Sequence, residues 1–384
     1  MYIKNLAAGL TALTLLASTN VVFAQDKSAV KVKPISVAFV YVAPVGTAGW
    51  TYQHDLGRQA IVKTLDKAGN GAIKTKFIEN VPEGADAERV IRDLATQGAD
   101  LIITPSFGYM EPTLKVAKEF PKTQFIHVSG YKTTANVANV NGRFYEGRYL
   151  AGYLAGMTSK TGVAGYVAAF PIPEVLQGVN AFTIGMRAAN PKAQVKLLWT
   201  NSWFDPGKEG EAAKTLITQG ADIVTHHTGS GAVAAAAEAN FDKGVRVIGY
   251  PSDFSAIAPK AQLAAVTHHW GKYYVNYVRA MQDYNWLSSN GRKGHESASP
   301  SSSVWGGMKD GFVKLEYINK SVPLKVKMTL SVMTKSIVAG DISPFSGAIV
   351  DNNLDLKHKG GAMTDAQLNA MNWLVEGVVG SIPK

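Results

Sequence analysis

The chain has 384 residues, of which 46% are hydrophobic, 18% charged and 37 glycine, a composition that can bury a sizeable core and argues against wholesale disorder. It contains no cysteine, which leaves no residue for disulfides, thiolate zinc sites, iron–sulfur clusters, a thiol nucleophile or lipid attachment through an N-terminal cysteine. Thirty-nine Lys and Arg against 29 Asp and Glu give a net charge of +10, but the cations sit singly among acids rather than in a basic stripe with interleaved aromatics, so nucleic acid is not an expected partner.

In chain order, Lys4, the apolar stretch Leu6 to Ala17 and the small residues Val22 and Ala24 form the three parts of a secretory signal, with cleavage expected after Ala24. That apolar stretch is shorter than the ~20 residues a spanning helix needs. The mature protein is expected to be soluble, exported and not membrane-anchored, with a net charge of +9 once Lys4 is removed from the +10 of the whole chain.

Apolar runs of strand length then alternate with stretches of helical spacing, the pattern of a parallel sheet covered by helices. Strands are expected at 35–42, 73–78, 101–104, 125–128, 163–167, 195–199, 223–225, 245–249 and 263–267, with helices at 86–96, 145–157 and 175–186. Ala87, Val90, Ile91 and Leu94 form the apolar stripe of the first of these helices. The stretch from Asn285 to Ser303 reads as a loop or hinge, followed by short strands at 313–317 and 348–350 and a final helix over 365–379.

One internal echo organises the chain. Thr96-Gln97-Gly98-Ala99-Asp100-Leu101-Ile102 returns as Thr218-Gln219-Gly220-Ala221-Asp222-Ile223-Val224, each copy ending a helix and beginning a strand, with Pro82 and Pro206 near the starts of the two helices. The fold class this implies is α/β, with two doubly wound parallel-sheet lobes facing each other across a cleft. Residues 34–141 plus 268–300 are expected to form the N-terminal lobe and residues 142–267 plus 301–384 the C-terminal lobe, with hinge crossings near Asn141, near Thr267 and in the serine-rich stretch.

No P-loop, H-E-x-x-H or G-x-S-x-G pattern occurs. Thr228 precedes a dinucleotide-like run, Gly229-Ser230-Gly231-Ala232-Val233-Ala234, which reads either as an anion-approaching helix start or as a tight turn lining a cleft. The pairs His226-His227 and His268-His269, with Asp253, could supply metal ligands, although neighbours on a strand point to opposite faces; a zinc-type receptor is therefore one alternative. The rings Trp50 and Tyr52, Phe107 and Tyr109, Trp203 and Phe204, and Trp270 follow strand ends, where the crevice of a doubly wound sheet lies. They suit a planar or sugar-ring ligand. Asp253 could accept from ligand hydroxyls or N–H groups, or cap a turn.

Val37 to Tyr41 leading to Gly46-Thr47-Ala48-Gly49-Trp50, Glu146-Gly147-Arg148-Tyr149-Leu150-Ala151-Gly152, Trp203-Phe204-Asp205-Pro206-Gly207-Lys208-Glu209, Thr228-Gly229-Ser230-Gly231, Gly249-Tyr250-Pro251-Ser252-Asp253 and Trp305-Gly306-Gly307-Met308 together resemble the basic membrane protein family of substrate-binding proteins, which includes purine nucleoside receptors of ABC importers. The resemblance implies a type I periplasmic-binding-protein fold closing over a purine, with an ABC permease and ATPase as partners, no cofactor and no catalysis. It implies that Trp50 and Trp203 stack on the purine and that Asp253 contacts ribose. Two departures stand out: Thr51-Tyr52 replaces the Asn-Asp that often follows the first aromatic, and His268 or His269 followed by Trp270 replaces a sugar-binding lysine. Both alter the sugar end of the pocket and favour a free base such as adenine. Many relatives are anchored through a cysteine; its absence points to a freely diffusing receptor in the periplasm of a two-membrane bacterium, and a monomer is expected. The alternatives are a sugar receptor, an exported nucleoside hydrolase with Asp253 and a histidine as base and acid, and a sensor module for a membrane receptor.

Overall fold

The computed structural model describes residues 34–66, 69, 71–289 and 302–383. The expected leader over residues 1–24, and residues 290–301 of the serine-rich stretch, lie outside the described residues. The first half runs β1 (Ile35–Val40), α1 (Trp50–Leu65), β2 (Ile73–Ile78), α2 (Ala85–Thr96), β3 (Leu101–Pro105), α3 (Met110–Glu119), β4 (Gln124–Val128) and β5 (Val137–Gly142). β2, β1, β3, β4 and β5 pair in parallel in that order. β3 is buried along its whole length, as expected of an interior parallel strand covered on both faces. α2 turns Ala87, Ile91, Leu94 and Ala95 onto the sheet, so its apolar spacing is used as a helix stripe.

The second half runs α4 (Phe144–Thr158), β6 (Val163–Ala168), α5 (Pro173–Ala189), β7 (Gln194–Trp199), α6 (Pro206–Thr218), β8 (Ile223–His227), α7 (Ala232–Ala239), β9 (Arg246–Gly249) and β10 (Gln262–His268). It continues with α8 (Gly271–Ser289), β11 (Ser303–Gly306), β12 (Val313–Glu316), α9 (Leu324–Ala339), β13 (Ile349–Val350), β14 (Leu356–His358), α10 (Asp365–Asn369) and β15 (Val378–Val379). The second sheet has the order β12-β10-β9-β8-β6-β7-β15, with β12 antiparallel to β10. α4 and α5 pack backbone to backbone: a Cβ on Gly152 would collide with the Phe182 carbonyl, and one on Gly185 with that of Tyr149.

The chain passes between the sheets three times. It leaves the first after Gly142, returns when α8 packs on α1 after His268, and leaves again between Gly306 and Val313. β11 lies beyond residue 300, where the sequence reading ends the N-terminal lobe, yet it pairs with β5 in the first sheet.

The C-terminal segment differs from the expected helix over 365–379. Helix α10 stops at Asn369, and the chain then extends to β15 beside β7. Two buried amides hold this path: Gln177 donates to the Leu368 carbonyl at 2.9 Å, and Asn180 donates to that of Trp373 at 2.8 Å while accepting from the Val375 N–H at 2.8 Å. Tertiary hydrogen bonds thus outweigh local spacing. No helix among the described residues is long and apolar enough to cross a membrane.

Candidate functional site: an aromatic cleft between two sheets

The ends of β1, β3 and β4 from the first sheet, and of β6, β8 and β9 from the second, face one cavity. This is the crevice at the carboxyl ends of parallel strands where doubly wound folds bind ligands. Trp50, Phe107, Trp203 and Tyr250 supply rings to its wall, and Thr51, Ser106, Ser129, Glu174, His227 and Thr228 supply polar groups.

Each side of the cleft is organised by one glutamate. On the first side Glu83 accepts from the Ser106 hydroxyl at 2.6 Å and the Gly108 N–H at 2.9 Å, fixing the turn that carries Phe107. On the second, Glu209 is fully buried and accepts from the Thr228 hydroxyl at 2.8 Å, the Ser230 hydroxyl at 2.6 Å, and the N–H groups of Ser230 at 3.1 Å and Asp205 at 3.0 Å. That carboxylate shapes the turn through Thr228 and Gly229. The dinucleotide-like run is accordingly a tight turn on the cleft wall, with Gly231 capping α7.

The two sides touch. The Gly49 N–H donates to the Ser252 hydroxyl at 2.6 Å, and a Cβ on Gly49 would collide with the Gly229 carbonyl. The Trp203 indole N–H reaches Glu83 at 3.2 Å. The described conformation therefore has the lobes in contact across the mouth. Trp50 is fixed by its indole N–H, which donates to the Pro105 carbonyl at 2.8 Å.

At the inner end lies a carboxyl group that sequence reasoning missed. Glu174 stands in the first turn of α5, and burial pushes its pKa up to about 7, while the Ser129 hydroxyl favours the ionised form. Its Oε2 is buried with no partner, as are Nδ1 of His227 and the hydroxyl of Tyr166 nearby. Unpaired buried polar atoms carry a desolvation cost that a bound ligand can remove. Ser129 itself has φ 70, a left-handed conformation that costs a non-glycine residue energy and often marks a ligand wall. The signal for Glu174 was available: it follows β6 directly, at the same strand-end position where the rings were sought, but an acid in a first helical turn also reads as a dipole partner.

Behind the wall, Arg148 is fully buried, with its guanidinium 3.3 Å from the Tyr250 ring centre and donating to Thr225 at 3.1 Å and the His226 carbonyl at 2.5 Å. Burial lowers its pKa, and the ring and carbonyl offset part of that cost. Tyr250 in turn reaches His227 Nε2 at 3.2 Å. Burial, then the Arg148 charge, holds His227 well below its ordinary pKa.

Of the residues singled out from sequence, Trp50, Phe107, Trp203, Thr228 and Gly229 meet at this cavity, while Tyr52, Asp253, His268, His269 and Trp270 are not among its lining residues. Asp253 accepts from Ser255 N–H at 2.9 Å, the Ser255 hydroxyl at 2.7 Å and Gln262 Nε2 at 2.6 Å, which makes it a turn cap. His268 stacks on Phe144 at 3.9 Å and lies edge-on to Trp50, behind the wall rather than in it. Trp270 stacks on His54 at 4.5 Å. His269 pairs with Glu316 at 2.9 Å. Among the described residues no three His, Cys, Asp or Glu side chains come together as metal ligands.

Two parallel-sheet lobes, three crossings and a cleft at the strand ends define a type I periplasmic-binding-protein fold. Solved structures agree on the fold: an ABC transporter solute-binding protein of Aeropyrum pernix superposes with a TM-score of 0.66 over 81% of this chain and 93% of its own at 18% identity, and one from Conexibacter woesei with 0.60 over 80% and 98% at 22% identity. The family model of PnrA-like ABC transporter substrate-binding proteins, Bmp, matches residues 35–336. The chain belongs to that family. It is 44% identical over 352 residues, 91% of this chain and 94% of the relative, to a purine-binding protein of Brucella abortus. It is also 32% identical over 349 residues, 91% and 81% respectively, to a Haloferax volcanii protein provisionally named an ABC transporter glucose-binding protein.

Proposed function

We propose that this ABC transporter substrate-binding protein works in the periplasm, holds a purine in the aromatic cleft, adenine-like rather than a nucleoside, and presents the closed lobes to its permease. The observation that carries the reading is Glu174: a carboxyl group with an unpartnered buried oxygen, set in a wall of aromatic rings. With its pKa near 7, the group is readily protonated. A protonated carboxyl offers one donor and one acceptor side by side, the complement of a purine edge that pairs a ring nitrogen with an N–H. Rings of Trp50, Phe107, Trp203 and Tyr250 suit the purine faces, with a stacked pair contributing about 0.5–1.5 kcal/mol beyond area burial. The purine-binding relative at 44% identity supports the same ligand class.

The free base is favoured because the carboxylate expected to receive ribose hydroxyls, Asp253, is engaged by Ser255 and Gln262 outside the cavity wall. Closure around the base stabilises the shut state in proportion to the ligand's preference for it, and the permease reads that surface. No bond is made or broken.

Calorimetric titration of ligand-stripped protein with adenine, hypoxanthine, guanine, adenosine and glucose tests this. Adenine is expected to bind at least about tenfold more tightly than adenosine, and Glu174→Ala to lose most of that affinity. Equal binding of adenine and adenosine would defeat the free-base reading; binding of glucose with no purine would defeat the ligand class. Release of free base from adenosine during incubation would instead identify a hydrolase.

A further inference from the structure

Helix α9 is apolar on two sides. Val326, Leu330 and Ile337 are buried against the protein, while on the opposite face Leu324, Met328 and Val332, one turn apart, are 72%, 62% and 64% exposed. At 100° per residue, Lys335 lies in line with that outward face at its C-terminal end, just past Val332, and Lys325 and Lys327 flank the row on either side. The helix has no acidic residue, and Lys320 lies just ahead of it. Among the described residues Lys320, Lys325 and Lys335 have no ion-pair partner; the Lys327 ammonium reaches only the Lys320 carbonyl, at 3.3 Å.

An exposed row of large apolar side chains requires an occupant. A second copy of the chain would set lysine against lysine, which like-charge repulsion disfavours. Protein interfaces are depleted in lysine, whereas Lys325, Lys327 and Lys335 edge this row and Lys320 lies just ahead of it. A bilayer surface accepts the pattern: leucine, methionine and valine enter the headgroup boundary, and lysine stems extend along them to keep the ammonium groups among anionic headgroups.

We propose that the outward face of α9 is a peripheral docking surface for an anionic lipid bilayer, holding a receptor without a cysteine anchor near the membrane. The inference does not depend on the ligand in the cleft.

The absence of cysteine makes a single labelling site unique. The chain from Gln25 onward, carrying Met328→Cys or, as a control, Leu354→Cys at another exposed apolar position, would be labelled with an environment-sensitive fluorophore. It would then be mixed with vesicles of phosphatidylglycerol and phosphatidylethanolamine, or of phosphatidylcholine alone. The Met328 label is expected to shift to the blue with the anionic vesicles only, and to revert in high salt; the Leu354 label is expected not to move. Lys335→Glu should weaken sedimentation with anionic vesicles about tenfold or more, and Met328→Glu by a similar factor, with the thermal midpoint and ligand binding unchanged. No shift at Met328, an equal shift at Leu354, undiminished sedimentation of both charge variants, or a Met328 label already buried before vesicles are added would each overturn the proposal.

Discussion

The two walls of the cleft are built on one plan and stabilised differently. In each half a helix that follows a proline, α2 after Pro82 and α6 beginning at Pro206, precedes the strand whose end carries the wall, and a glutamate at the start of that helix gathers the turn after the strand. Glu209 does so inside its own lobe, fully buried, with every partner on its own side. Glu83 is exposed, and one of its partners, the Trp203 indole, belongs to the other lobe. A carboxylate whose partners are all local shapes its wall whether the lobes are open or shut. One that borrows a donor from across the cleft completes its set only on closure. The second wall is therefore a fixed scaffold, and the first is partly assembled by the closing motion.

The largest expected effect follows from that contrast. Glu209→Ala leaves two hydroxyls and two N–H groups without their acceptor in a buried site and should cost about 3 kcal/mol of unfolding free energy. Urea unfolding measures it. Ligand affinity should fall as well, since Thr228 and Gly229 lose their shape. A variant as stable as the parent would show that the Glu209 network is not what fixes the second wall.

Acid should separate the lobes by a smaller amount. His127 in the first lobe and His226 in the second are both held neutral by burial, with pKa values lowered to about 3, and His226 and His227 also feel the Arg148 charge. A histidine whose folded pKa lies below its unfolded value of about 6.5 contributes stability that is fully present above pH 6.5 and is lost as the pH falls toward the folded value. Glu174 acts in the opposite sense: with its pKa raised to about 7, its burial costs nothing below about pH 4.5, and the cost grows as the pH rises to 7. Between pH 6.5 and 4.5 the histidines, being several, should prevail, and the thermal midpoint should fall. Hydrogen exchange should show β8 and β9 losing protection before β3 and β4. Equal loss in both sheets would remove the distinction between the walls at low pH.

The α/β class and the lobes follow from strand-length apolar runs and from the repeated Gly-Ala-Asp turn, because interior parallel strands have to be continuously apolar. β5 is different: no strand is expected over Val-Ala-Asn-Val-Asn-Gly, where only a hinge crossing near Asn141 is expected, and it becomes a strand because β4 and β11 flank it. No element is expected between Tyr317 and Ala348, yet α9 fills most of that span; an apolar residue on every side hides the one-face period. Rings at strand ends are legible as a pocket because the crevice position is fixed by topology. Which polar group enters it is not, since Asp253 and Glu174 are both acids just past strands. They differ only in that Gln262 and Ser255 engage the first and burial isolates the second.

The smallest predicted effect tests the contrast most directly. Glu83→Gln keeps an acceptor for Ser106 and Trp203 and removes the charge, so the global unfolding free energy should hardly change, because the side chain is exposed and exposed ionic groups contribute little. Closure is another matter. If Glu83 gains the Trp203 donor only in the shut state, weakening that bond lowers the shut population and reduces apparent ligand affinity by the same factor, a few-fold for one charge-assisted hydrogen bond open to solvent. Trp203→Phe, which keeps a ring and deletes the indole N–H, should reproduce the loss. The double variant should lose no more than either alone, because both remove one interaction. Additive losses would mean that the two side chains act on the ligand independently, and the first wall would then be as self-contained as the second.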